Sequence, residues 1–126
     1  MATWILWALI LAMLAWMGFN YLRIRRAAKI VDNEEFEALI RTGQLIDLRD
    51  PAEFHRKHIL GARNIPSSQL KTSLAALRKD KPVLLYENQR AQRVTNAALY
   101  LKKQGFSEIY ILSYGLDSWK GKVKTS

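Results

Sequence analysis

Pro82-Val-Leu-Leu-Tyr86-Glu-Asn-Gln-Arg90-Ala-Gln-Arg93-Val-Thr-Asn-Ala97-Ala-Leu-Tyr-Leu101-Lys-Lys-Gln-Gly105 carries an apolar run, a polar loop and a helical repeat in succession. Val83 to Tyr86 is a short apolar run, the pattern of a strand buried on both faces. From Arg93 the period changes, and Val94, Ala97, Ala98 and Leu101 recur at helical spacing. Lys102 and Lys103 fill the last turn, and Gly105 can take the left-handed stop. Between strand and helix lies a polar loop, Glu87 to Gln92. A loop that leaves a parallel strand and enters a helix is where α/β proteins place their sites. Its free backbone N–H groups favour an anion.

Working outward, the same alternation recurs. Lys29-Ile-Val31 reads as a brief strand, and Asp32-Asn-Glu-Glu35 as a capping box opening a helix through Phe36, Leu39 and Ile40, with Thr42-Gly43 as its exit. Leu45-Ile-Asp-Leu48 is a second strand. Asp50-Pro-Ala-Glu53 is a second capping box, with Pro51 suited to the first helical position. Ala62 to Ile65 is a short strand closed by Pro66, and Ser67 or Ser68 can cap a helix carrying Leu70, Leu74 and Leu77. Ile109 to Leu112 is the last strand, followed by a turn, Leu116 to Trp119 packing back, and a basic tail. Strands alternating with helices predict a parallel sheet covered on both faces.

The amino-terminal stretch is of another kind. Trp4 to Leu22 is 19 residues without a formal charge. As a helix it would be about 28 Å long, enough to cross the hydrocarbon core of a bilayer. Trp4 and Trp7 near one end and Tyr21 near the other suit the interfacial belts. A cleaved signal peptide wants a basic start and a short apolar region, whereas this chain begins Met-Ala-Thr. The stretch therefore reads as a single-pass anchor that contacts membrane lipid. Of the formal net charge of +9, the cluster Arg23, Arg25, Arg26 and Lys29 accounts for four, leaving +5 on the rest. Basic residues beside a span stay on the cytoplasmic side, which puts the amino terminus outside and the domain in the cytoplasm. The charges are explained by topology, so no nucleic-acid partner is expected. The organisation expected is an anchor over residues 1–22, a basic juxtamembrane linker over 23–29 and one domain over 30–126.

The chain has no cysteine, which excludes disulfides, a thiolate metal site and a cysteine nucleophile. His55 and His58 are too few and too close in sequence to argue for a metal. Neither a metal nor a cofactor is expected.

Leu-Ile-Asp47-Leu-Arg49-Asp-Pro-Ala-Glu53-Phe, His58-Ile-Leu-Gly61-Ala-Arg-Asn-Ile-Pro66, the strand–loop–helix with Ala97-Ala98, and Tyr-Gly115-Leu-Asp-Ser-Trp119 follow one another in the order and spacing of the rhodanese-like family, which the chain resembles over Ala28 to Val123. The resemblance implies an α/β fold with a five-stranded parallel sheet flanked by helices, here preceded by one transmembrane helix. It also implies sulfur chemistry: active members pass a sulfane sulfur from a donor such as thiosulfate to a thiophilic acceptor through a cysteine persulfide. The family pattern in the loop is Cys-x-x-Gly-x-Arg. Counted back from Ala97-Ala98, the cysteine position falls on Asn88, which keeps an arginine at Arg93; counted forward from the strand, it falls on Glu87. Neither residue can form a persulfide, so no catalytic residue is expected for sulfur transfer or for the related phosphatase chemistry.

Asp47 and Arg49 are expected to make structural contacts at a strand end, Glu53 to cap, His58 to bond locally and Trp119 to pack in the core. The loop residues Gln89, Arg90, Ala91, Gln92 and Arg93 are the candidates for holding an anion, because two guanidiniums beside an N–H cradle have no thiolate to balance them. Three functions remain open. The first is an inactive membrane-anchored module that binds a protein partner or small oxyanion at the cytoplasmic face. The second is a sulfurtransferase or sulfur carrier using a partner protein's cysteine, and the third a structural membrane subunit.

Overall fold

The computed structural model describes residues 2–89 and 92–125, with the backbone alone for 23–27. Its centre is a five-stranded, all-parallel sheet built from β1 (Lys29–Val31), β2 (Gln44–Asp47), β4 (Arg63–Asn64), β5 (Val83–Tyr86) and β6 (Ile109–Leu112), in the order β1-β6-β5-β2-β4. The run Val83 to Tyr86 takes the middle place, where all four side chains lose their solvent contact. Alternation along the strand sends them to opposite faces. Val83 and Leu85 join Ile46, Leu70 and, from α4 (Gln92–Lys103), Val94, Ala97 and Leu101. Leu84 and Tyr86 join Leu45, Leu112, Ile59 and, from α2 (Asn33–Ile40), Phe36. Burying one such side chain contributes about 1.5–3 kcal/mol, which is why an unbroken apolar run fixes the central strand.

The helix boundaries follow local chemistry. The Asp32 side chain accepts from the Glu35 N–H at 2.9 Å and starts α2. Gly105 ends α4 with φ +97°, the left-handed stop. The second capping box does not form. Helix α3 (Pro51–Arg56) does carry proline at its start, but Asp50 makes no side-chain cap bond and Glu53 reaches across to another loop.

Two further expectations are corrected. Residues 67–77 do not make an α-helix but two 3-10 turns, Ser67–Thr72 and Leu74–Ala76. Ser and Thr side chains compete locally for backbone groups, as Thr72 Oγ1 does in donating to the Gln69 carbonyl at 2.9 Å. The chain then leaves through Gln44, whose amide both donates to the Arg78 carbonyl and accepts from the Arg78 N–H at 2.7 Å. The basic tail is in part a strand: β7 (Val123–Thr125) pairs antiparallel with β3 (Lys57–Ile59), with His58 opposite Lys124.

Ahead of the sheet stands α1 (Thr3–Ala27). Its residues Thr3 to Leu22 are long and apolar enough to cross a membrane, and none of that span is buried inside the protein. Trp4 is 68 % and Leu11 63 % exposed, so the chain supplies no core for this helix. The basic segment 23–29 is carried by the last turns of α1 and the first residue of β1, with only Ala28 between them.

Candidate functional site

The carboxyl ends of β2 and β5 lie side by side, with Asp47 opposite Tyr86 in the register. The Asp47 carboxylate is fully buried and pairs with Arg49 at 2.8 Å, also receiving the Arg49 N–H at 2.8 Å. Arg49 is itself buried, and the other donors of its guanidinium go to the Lys57 carbonyl and to Asn88 Oδ1 at 3.0 Å. Burial works against its charge, but the hydrogen bond and the charge of Asp47 outweigh that and raise the Arg49 pKa. Asn64 donates to the Asp47 and Arg49 carbonyls at 3.2 and 2.9 Å, tying β4 to the same corner.

The β5 end is built differently. The residue after the strand, Glu87, turns its carboxylate toward the start of α4, where Oε2 accepts the Val94 N–H at 2.9 Å. Asn88 points the other way. Its Oδ1 takes Arg49 and its Nδ2 donates to Glu53 Oε2 at 2.7 Å, which is where the second capping-box carboxylate has gone. From below, the turn after β6 holds both carbonyls of the loop: Leu116 N–H donates to Glu87 at 2.8 Å and Asp117 N–H to Asn88 at 3.0 Å. This approach requires glycine at Gly115, with φ +70°; a Cβ there would lie 2.5 Å from both carbonyl oxygens.

A family model for the Rhodanese-like domain matches residues 32–122. The chain belongs to the rhodanese-like family. It is 48 % identical over 113 residues to the uncharacterized protein YqhL of Bacillus subtilis (strain 168), covering 90 % of this chain and 89 % of that one. It is 36 % identical over 95 residues to the thiosulfate sulfurtransferase GlpE of Stutzerimonas stutzeri (strain A1501), covering 73 % and 84 % of the two chains. Among solved structures, a rhodanese-related protein from Thermoplasma volcanium superposes with a TM-score of 0.70 at 23 % identity, covering 78 % of this chain and 99 % of that one. That last likeness concerns the fold alone.

Glu87 and Asn88, the two residues expected at the family's nucleophile position, face opposite ways. The residue that follows β5, Glu87, directs its side chain at the helix N-terminus; Asn88 is absorbed into the Arg49–Glu53 network. Glu87 is 8 % exposed. A carboxylate at this point accepts hydrogen bonds and is favoured by the helix dipole, as a thiolate would be. It cannot hold a second sulfur.

The residues singled out for an anion scatter. Gln89 is exposed and its amide donates to Asp117 at 3.4 Å; Gln92 is exposed and bonds Asn96 at 2.8 Å within α4. Arg93 is exposed on the first turn of α4, and Arg90 and Ala91 lie outside the described residues. His58 is buried by stacking on Phe54 at 3.8 Å, with Nδ1 2.7 Å from the Phe54 carbonyl, a local partner as expected. Trp119 is half-buried and meets Phe36 edge-on at 5.8 Å. Among the described residues no group of three or more His, Asp or Glu side chains converges on a point that could hold a metal ion.

Sequence reasoning did not find the cross-links of the site, Glu53 to Asn88, Asn64 to Asp47, and Tyr86, whose hydroxyl accepts the Ile59 N–H at 3.1 Å. The one available signal was the forward count from β5, which puts a carboxylate directly before a helix N-terminus.

Proposed function

We propose that this chain is a membrane-anchored rhodanese-like module without sulfurtransferase chemistry of its own, which presents its domain at the cytoplasmic face to a protein partner. The observation that carries the reading is the Glu87 carboxylate on the Val94 N–H in a chain that contains no cysteine. Sulfur transfer needs a soft thiolate that can be attacked back at its outer sulfur, and a carboxylate offers only hard oxygens. The same geometry ranks the ligands. A small oxyanion at the α4 N-terminus must compete with a carboxylate already bonded there, whereas a protein can use the loop's outer surface, including exposed Gln89 and Tyr114.

Two experiments test the reading. The full-length chain, purified with its helix, should produce no thiocyanate from thiosulfate and cyanide above the buffer control. Turnover proportional to this protein alone would overturn the inactive assignment. For sidedness, protease added to intact cells should spare the domain, because the basic run 23–29 follows the span rather than preceding it. Cleavage within 30–126 from outside would reverse the orientation.

A second reading draws on the relatives. The GlpE proteins, of which two are 36 % and 37 % identical to this chain over 95 and 79 residues, carry the name thiosulfate sulfurtransferase. This chain would then hold a partner's cysteine persulfide against its loop. Radiolabelled thiosulfate sulfur should in that case remain on a co-purified partner and depend on this chain for its loading.

A further inference from the structure

A cavity of about 1050 Å³ lies between the carboxyl-terminal end of α1, the first 3-10 turn and α4. Among the described residues its charged lining is Lys71, Arg93, Lys102 and Lys103, with no acidic residue. Its apolar lining includes Phe19 and Leu22 on α1, with Leu70 and Tyr100 opposite. Lys71, though exposed, has its ammonium 5.5 Å from the centre of the Tyr100 ring, which brings one cation to the wall of the cavity. Four cations without a counter-carboxylate, over an aromatic and aliphatic floor, match a ligand that is anionic at one end and apolar at the other.

The height of the cavity selects among such ligands. Counted from Trp4 at 1.5 Å per residue, Phe19 to Leu22 lies about 22–27 Å along the helix, near the far boundary of a hydrocarbon core about 30 Å thick. With α1 in a bilayer, the cavity opens at the level of the phosphates. We infer that it binds one anionic phospholipid, its phosphate among Lys71, Arg93, Lys102 and Lys103 and its acyl chains along Phe19 and Leu22. This rests on the reading of α1 as a membrane anchor. It is separate from the general attraction of the run 23–29 to a negative surface, because it is a single site on the folded domain. It also gives Arg93 a use away from the β5 loop.

The test is native mass spectrometry of the full-length chain, released from membranes of mixed phosphatidylglycerol and phosphatidylcholine into mild detergent. One phosphatidylglycerol should be retained in preference to phosphatidylcholine. Lys71→Gln with Lys102→Gln should lower that retention by about fivefold per charge removed. Lys120→Gln with Lys124→Gln, two exposed lysines that do not line the cavity, should leave it unchanged. Circular dichroism melting checks that both double variants fold; Lys71→Arg with Lys102→Arg, which keeps the charges, should restore retention. Equal losses in the two Gln variants, no preference for phosphatidylglycerol, or displacement by millimolar inorganic phosphate would each overturn the site. Alkaline carbonate extraction separates this failure from that of the anchor. A chain stripped from the membrane by carbonate overturns both readings, whereas one that resists extraction but retains no lipid overturns only the site.

Discussion

The ends of β2 and β5 are neighbours in one sheet, and they solve the same problem in opposite ways. Each strand ends in polar backbone that must enter a helix. At β2 the chain closes a buried ion pair, Asp47 with Arg49, extended through half-buried Asn88 to Glu53, and leaves the α3 cap Asp50 without a side-chain bond. At β5 a carboxylate satisfies the helix start directly, from seven residues upstream of Val94. The β2 end is thus a matter of folding, since breaking it strands a buried ion. The β5 end is a matter of chemistry, because the residue placed there decides what the helix N-terminus can activate. On the proposed reading, the rhodanese-like frame is kept at the first end while its reaction is removed at the second.

The comparison is broken most severely at Arg49. Arg49→Ala leaves the Asp47 carboxylate buried without its partner, and removing one half of such a pair costs about 3–5 kcal/mol. Urea unfolding should show the domain barely folded or unfolded; a midpoint within error of wild type would mean the β2 network is dispensable.

Tyr86 links the two ends and sharpens the contrast by its pH dependence. Burial first, then the charge and hydrogen bond of Asp47, push its phenol above its ordinary value near 10. A pKa raised by folding means the native state holds the proton more tightly. The stability it brings is complete below about pH 10 and is lost as pH rises from there toward the folded value. Tyr86→Phe should cost about 1–3 kcal/mol at neutral pH by orphaning the Ile59 N–H. It should also flatten the loss of stability above pH 10. Parallel alkaline melting curves for the two proteins would contradict this assignment.

The smallest effect belongs to the β5 end. Glu87→Cys and Asn88→Cys should each cost about 1 kcal/mol, the scale of a lost cap or hydrogen bond. They should part company in reactivity. A thiol at position 87 faces the α4 N-terminus and should alkylate with an apparent pKa below the free-cysteine value of about 8.5; a thiol at 88, between Arg49 and Glu53, should react more slowly. Iodoacetamide rates against pH read this directly. A faster thiol at 88 would put the nucleophile position on Asn88, as the count back from Ala97-Ala98 has it.

Legibility in the sequence followed the range of the interactions. The strands, the Asp32 cap, the Gly105 stop and the apolar length of α1 rest on residues a few positions apart, and these could be read. Asp50 showed where the pattern misleads: a capping box needs its glutamate at home, and Glu53 found a stronger partner 35 residues away in Asn88. Residues 67–77 have leucines at helical spacing, a pattern that outweighed the Ser and Thr between them, and the Gln44 clamp on Arg78 lies outside any local window. The pairing of β3 with β7 joins segments more than sixty residues apart, and neither carries a strong strand pattern. At the site, the absence of a thiol was plain from the sequence. The direction of Glu87 and Asn88 was not, because the two counts differ by one residue and only the fold separates them.

The single residue between α1 and β1 has a mechanical consequence. Ala28 is 8 % exposed and packs with the core, so the joint is itself fixed in the domain. A flexible tether of twenty residues lets a domain sweep a hemisphere about 25 Å in radius; a joint of one buried residue has almost no sweep. With α1 held in a bilayer, the β5 loop keeps a near-constant height and bearing above the lipid. On the proposed reading, a partner held in the same membrane would meet it at that height, and their encounters would be a search in two dimensions, governed by how many partners share the same area of membrane.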